Sequence, residues 1–126
     1  MEAGTLIPMA ARSLVVDLAA NRVKGCCIPL ARPLSDATIG RLAEVFKAIS
    51  DPTRVQMLHY LKTSTEPICI CDFTATFDLG QPTISHHVGK LRDAGFVESF
   101  KQGVWSFYRL RKDMPAEARE ALRLIP

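Results

Sequence analysis

Apolar residues recur along this chain in two different periods, and the change of period divides it. From Ser35 to Leu91 the spacing is helical. Leu42, Val45, Phe46 and Ile49 stand at i, i+3, i+4 and i+7, which is one stripe of a helix, and Ser35-Asp36 supplies a cap ahead of it. Ser50-Asp51-Pro52-Thr53 closes that helix and opens a second, with Pro52 in the first turn, where its missing N–H is no loss. Val55, Leu58 and Leu61 are expected to bury one face of this second helix, leaving Arg54, Gln56 and Lys62 in solvent and His59 at the boundary. Thr63 to Pro67 reads as a loop. Ile70, Phe73 and Phe77 then share a face of a third helix that opens at Cys69-Ile70-Cys71-Asp72. Asp78-Leu79-Gly80 interrupts the pattern for the few residues that separate two helices in a helix-turn-helix. A fourth helix follows, with Pro82 in its first turn, Ile84, Val88 and Leu91 on its buried stripe, and Gly95 as its stop.

Beyond Gly95 the pattern becomes that of strands. Phe96–Phe100 and Val104–Leu110 are β-prone aromatic runs on either side of Lys101-Gln102-Gly103, which predicts a β-hairpin with a basic tip. Lys112-Asp113-Met114-Pro115 begins a last short helix, with Asp113 as its cap and Ala118, Ala121, Leu122 and Ile125 on its apolar side. Ahead of Ser35, a stretch between Leu6 and Val23 carries Leu14, Val15, Leu18 and Val23 and predicts a short helix; Gly25, Pro29 and Pro33 then mark a linker that holds Cys26 and Cys27. Helix, turn, helix and basic hairpin, in that order, is a mainly α winged helix-turn-helix. The chain divides into an N-terminal helix and cysteine-bearing arm (1–33), the winged helix-turn-helix (34–112) and a C-terminal helix (113–126). The stripe at Leu14–Leu18 has no partner nearby in sequence and must pack on the domain or on a second subunit, and that at Leu122–Ile125 is expected to dock on the twin subunit of a homodimer.

The fourth helix keeps an unusual set of side chains off its apolar stripe. Gln81, Thr83, Ser85, His86, His87 and Lys90 are donors and acceptors suited to base edges and phosphates in a major groove, and Lys101 and Gln102 extend that set onto the hairpin. Net charge is only +3 over 126 residues, so a nucleic-acid footprint must be a local basic patch. One such helix reads too few base pairs to find a site; a two-fold dimer on an inverted repeat reads twice as many. No apolar run approaches the roughly 20 residues of a membrane span. The N-terminus has no basic segment followed by a long apolar core, which points to the cytoplasm. Neither a nucleophile–base signature nor a phosphate-binding loop is visible, which argues against an enzyme or an organic cofactor.

In the cytoplasm four cysteines read as thiols or metal ligands rather than disulfides. They fall in two pairs, Cys26-Cys27 on the arm and Cys69-x-Cys71 at a helix start. With Cys69 as N-cap, Cys71 is the second helical residue and Asp72 the third, where its carboxylate completes a capping box. A helix N-terminus favours the thiolate, the form that binds metal. Four soft ligands select thiophilic ions, among them Cu(I), Zn(II), Cd(II), Pb(II), Hg(II) and trivalent arsenic or antimony. Neither pair has the spacing of a zinc ribbon. Paired thiols also oxidise readily, so a redox sensor is the competing reading.

Three segments together resemble the ArsR/SmtB winged-helix metalloregulators: Phe46-Lys47-Ala48-Ile49-Ser50-Asp51-Pro52-Thr53-Arg54, Ile68-Cys69-Ile70-Cys71-Asp72, and Gln81 through His87 with Leu91 and Ala94-Gly95. The resemblance spans about residues 34–112 and implies a homodimeric repressor, its terminal helices forming the dimer, that leaves operator DNA on binding a toxic metal or metalloid. Some members sense zinc through histidines on the last helix, but residues 113–126 hold none. The Cys-x-Cys box belongs to members that sense arsenic and antimony and to members that sense cadmium, lead and zinc. Here Asp72-Phe73-Thr74 follows it without a nearby third cysteine, so the arm must complete a pyramid of three thiolates. Gly25-Cys26-Cys27-Ile28-Pro29-Leu30 resembles the vicinal-cysteine arm of arsenic-responsive members. The resemblance thus implies As(III) or Sb(III) as inducer, held by Cys26, Cys27, Cys69 and Cys71, with Cd(II), Pb(II) or Hg(II) as the alternative.

Overall fold

Caps written into the sequence set where the helices begin. The computed structural model describes residues 27–126, so the helix expected between Leu6 and Val23, and Cys26 with it, lies outside the described residues. Met1–Pro33 and Leu34–Pro126 are separate units. Within the first, residues 27–33 are exposed and have no regular secondary structure. In the second, helix α1 (Asp36–Ala48) is capped by Ser35, whose hydroxyl accepts from the Thr38 N–H at 3.2 Å. Asp51 caps α2 (Pro52–Thr63) by accepting from the Arg54 N–H at 3.0 Å. A two-residue strand β1 (Ile68–Cys69) runs into α3 (Ile70–Phe77), and Asp78, at φ 54°, turns the chain toward α4 (Gln81–Asp93). A short polar side chain tolerates that left-handed conformation. Strands β2 (Val97–Gln102) and β3 (Trp105–Leu110) follow, then α5 (Ala116–Leu122).

The hairpin pairs Val97 with Leu110 through to Gln102 with Trp105, leaving Gly103-Val104 as its two-residue turn. Gly103 sits at φ 61°, a conformation tight hairpin turns require. The sequence does not foretell β1. It pairs Ile68 with Tyr108 and Cys69 with Phe107, making a three-stranded antiparallel sheet of order β1-β3-β2. Phe73, Phe96, Met57, Leu58, Ile84, Leu91, Val88 and Val97 are the largest fully buried side chains. Helix α4 therefore lies on the core by its apolar stripe, as its spacing predicts, each of these side chains contributing about 1.5–3 kcal/mol.

Several assignments change. On α2, Met57 joins Leu58 and Leu61 in the core while Val55 reaches the surface and Arg54 is half-buried. On α1, Val45 and Ala48 face inward, whereas Phe46 is 59% exposed. Asp113 does not cap the last helix: Pro115 holds that position, and the Asp113 carboxylate accepts instead from Arg111 Nε at 3.3 Å. The stripe expected to await a partner is partly used at home, since Ile125 is buried in the chain's own core and Leu122 is half-buried. Lys62 stays exposed, as its charge predicts, yet its side chain reaches this helix end. Its Nζ donates to the carbonyls of Leu122 at 3.1 Å and Ile125 at 2.6 Å, drawing the end of α5 inward. Leu124, 79% exposed, takes the outward position. Among the described residues no helix is long and apolar enough to cross a membrane.

Candidate nucleic-acid interface and thiol site

Helix α4 presents its polar residues because its stripe is committed to the core. Gln81, Thr83, Ser85, His86 and Lys90 are exposed, as are Lys101 and Gln102 on the hairpin. Gly80 at the N-cap offers no side-chain acceptor, so no side chain of the cap residue competes for the first amides of α4. Such amides are donors of the kind that bind phosphate oxygens. The hairpin is stiffened by its own aromatic pair. Phe100 and Phe107 stack at 5.7 Å, the Arg109 guanidinium lies 4.6 Å over Phe100, and Arg109 Nε donates to Glu98 at 2.6 Å.

His87 stands apart from this set. It is half-buried, and its Nδ1 lies 3.0 Å from Arg54 Nη1 and 3.8 Å from Asp51 Oδ2. Arg54 also donates from Nε to the Ala48 carbonyl at 2.8 Å and from Nη2 to the Lys47 carbonyl at 3.2 Å. Burial, followed by the charges of Arg54 and His86, holds the His87 imidazole below the ordinary histidine range despite the opposing pull of Asp51. The charge of Arg54 predicts it in water, which the structure corrects to half-buried. The one signal that could have found it is its place in the Asp-Pro-Thr-Arg run, where the capped first turn aims a long cation back at the carbonyl end of α1.

At the other end of the reading unit, the expected capping box is present. Cys69 caps α3, its sulfur accepting from the Cys71 N–H at 3.4 Å, and the Cys69 N–H donates to Asp72 Oδ2 at 2.9 Å. Cys69 is buried and Cys71 exposed, with their sulfurs 2.7 Å apart. The helix start does not lower the Cys71 thiol as expected. Its hydrogen bond to Cys69, then desolvation, then the Cys69 and Asp72 charges push it up from the ordinary 9.0. No set of three or more Cys, His, Asp and Glu side chains able to hold an ion occurs among the described residues. Of the arm pair only Cys27 is described, and it is exposed. A groove runs from this site to the hairpin tip, lined by Cys71, Leu79, Gln81, Val104 and Trp105. It joins the thiols to the first residue of α4 and to the end of the wing, a junction that sequence spacing does not reveal.

The model of the bacterial regulatory protein arsR family matches residues 51–99, from the cap of α2 into β2. An HTH-type transcriptional regulator of Methanocaldococcus jannaschii is 38% identical over 85 residues, 68% of this chain and 91% of that protein. The arsenical resistance operon repressor of Escherichia coli is 37% identical over 79 residues, covering 63% of this chain and 67% of the repressor. A cadmium resistance regulatory protein homolog of Staphylococcus aureus is 36% identical over 69 residues, 55% and 56% of the two chains. Among solved structures, the homodimeric winged helix-turn-helix DNA-binding domain from Mycobacterium bovis aligns with a TM-score of 0.59 at 22% identity, over 73% of this chain and 83% of that one. That likeness shows the fold. With these matches beside a helix-turn-helix and its wing, the chain belongs to the ArsR family of winged helix-turn-helix transcriptional regulators, which bind DNA and are not enzymes.

Proposed function

We propose that this regulator is a cytoplasmic repressor that holds an inverted-repeat operator as a homodimer and releases it when trivalent arsenic or antimony is captured by cysteine thiolates. The observation that carries the reading is the adjacent pair of sulfurs, 2.7 Å apart, at the start of the helix that leads into α4. Gln81, Thr83, Ser85, His86 and Lys90 would face the DNA, with Lys101 and Gln102 on its backbone. A dimer face is supported by the groove between α1 and α5, where Leu42, Phe46, Ala121 and Leu124 leave apolar surface uncovered. Cys69 and Cys71 supply two sulfurs, and the Cys26-Cys27 arm, from the same or the partner subunit, completes the pyramid. Sulfur–arsenic bonds are short and directional, so capture displaces the start of α3 and re-aims the two α4 helices relative to each other. A coupling of about 1–3 kcal/mol suffices to weaken DNA binding 5- to 150-fold.

The test is operator release across an arsenite titration of reduced protein. Cys69→Ser with Cys71→Ser keeps an N-cap oxygen, so it should bind DNA normally and stay bound. Cys26→Ser with Cys27→Ser should likewise bind and respond weakly or not at all. Full release from both double variants would remove the thiols from the mechanism. A second reading, cadmium or lead as inducer with four thiolates, is favoured by the cadmium resistance relative. Release by cadmium but not arsenite would select it. Release by peroxide alone would select a redox sensor.

A further inference from the structure

We infer that His87 is a positioning residue, fixing the rotation of α4 on the domain through Arg54 rather than reading a base. The inference rests on α4 being the helix that meets DNA. The apolar stripe of Ile84, Val88 and Leu91 gives α4 adhesion but little direction, because hydrophobic burial is non-directional. A hydrogen bond is directional, and among the described residues His87 makes the one side-chain hydrogen bond between α4 and the corner formed by α1 and α2.

That corner is itself held at three points by one side chain. The Arg54 guanidinium donates to the carbonyls of Lys47 and Ala48 at the end of α1 and reaches across to His87 Nδ1, while the Arg54 backbone N–H donates to the α2 cap, Asp51. Guanidinium nitrogens only donate, so Nδ1 accepts and the imidazole proton resides on Nε2. The His87 side chain retains 14% exposure, against exposed neighbours Ser85 and His86. Lys90, one turn further on, lines a groove with Lys47, Ser50 and Arg54. The bond to Arg54 therefore sets where Lys90 and the Ser85–His86 pair point. Losing it should lower the fraction of protein whose α4 is in the DNA-competent rotation, which weakens every DNA complex by that same factor while the competent fraction keeps all its contacts.

The experiment compares two labelled duplexes: the tightest one recovered from randomised DNA by the parent protein, and a scrambled duplex of the same length. His87→Ala should bind both about tenfold more weakly, the scale of one lost hydrogen bond to a charged group. The ratio between duplexes and the slope of affinity against salt should stay as in the parent. His87→Asn should restore binding, because its amide oxygen can occupy the place of Nδ1. A collapse of the ratio would make His87 a base reader, and a salt slope reduced by about one would make it a phosphate contact. Asparagine no better than alanine, or alanine equal to the parent, would also overturn the inference. Ser85→Ala and Lys90→Ala run beside these. If both were silent as well, α4 would not be the DNA helix, and the underlying reading would fall with the proposal.

Discussion

A histidine that looks like a DNA contact on a helical wheel has, in space, the surroundings of a strut. His87 is neutral in that role, and its folded-state pKa lies below 6.5 through burial, Arg54 and His86, with Asp51 opposing. The sign follows. As pH falls below 6.5 the unfolded chain takes up this proton before the folded one does, so the folded state loses stability down to its own pKa and then levels off. The stability of the parent minus that of His87→Asn, followed by denaturant unfolding, should be constant from pH 8 to about 6.5 and fall below it. A parent that gained stability over the variant on acidification would reverse the assignment. Asp72 carries a simpler burden. Its carboxylate accepts from the Cys69 N–H and closes the capping box. Asp72→Ala should cost about 1 kcal/mol, measured as a lower melting temperature, and loosen the thiol pair with it.

At the scale of elements, what the sequence reveals is what depends on near neighbours. Ser35 and Cys69 announce their helices because a cap is a relation among four adjacent residues, and the Ser50–Thr53 break holds the third cap, Asp51. The stripe of α4 and the hairpin are legible for the same reason. Strand β1 is not, because two residues have no period and their partners, Tyr108 and Phe107, lie far along the chain. Charge alone places Arg54 and Lys62 in solvent; Lys62 is exposed, whereas Arg54 is half-buried. Both spend their protons on carbonyls at the ends of other helices, a contact that exists only after those helices have docked. The stop at Gly95 was legible, but its full reason is tertiary. It sits at φ 93°, and a Cβ there would lie 2.9 Å from two ring carbons of Pro115, ahead of α5. Gly95→Ala should therefore destabilise the fold by about 1–3 kcal/mol, more than a surface glycine such as Gly40, which has open space around it.

For the whole molecule, the outward apolar residues are the test of assembly. Phe46→Asp with Leu124→Asp leaves the core untouched, since both side chains are mostly exposed. It should give a folded protein that sediments as a monomer at micromolar concentration and binds an inverted repeat far more weakly than the parent. A dimer surviving both charges would move the interface elsewhere. The groove between the thiols and the wing has a practical side. The chain holds a single tryptophan, and it is Trp105, 54% exposed, lining that groove with Cys71. The protein thus carries an internal optical probe where the two proposed binding events would converge. A heavy ion on Cys71 should quench indole emission, whereas DNA against the wing should shift its wavelength as water leaves the ring. One fluorescence cuvette, without any attached dye, would then report the order in which ligand arrives and operator departs.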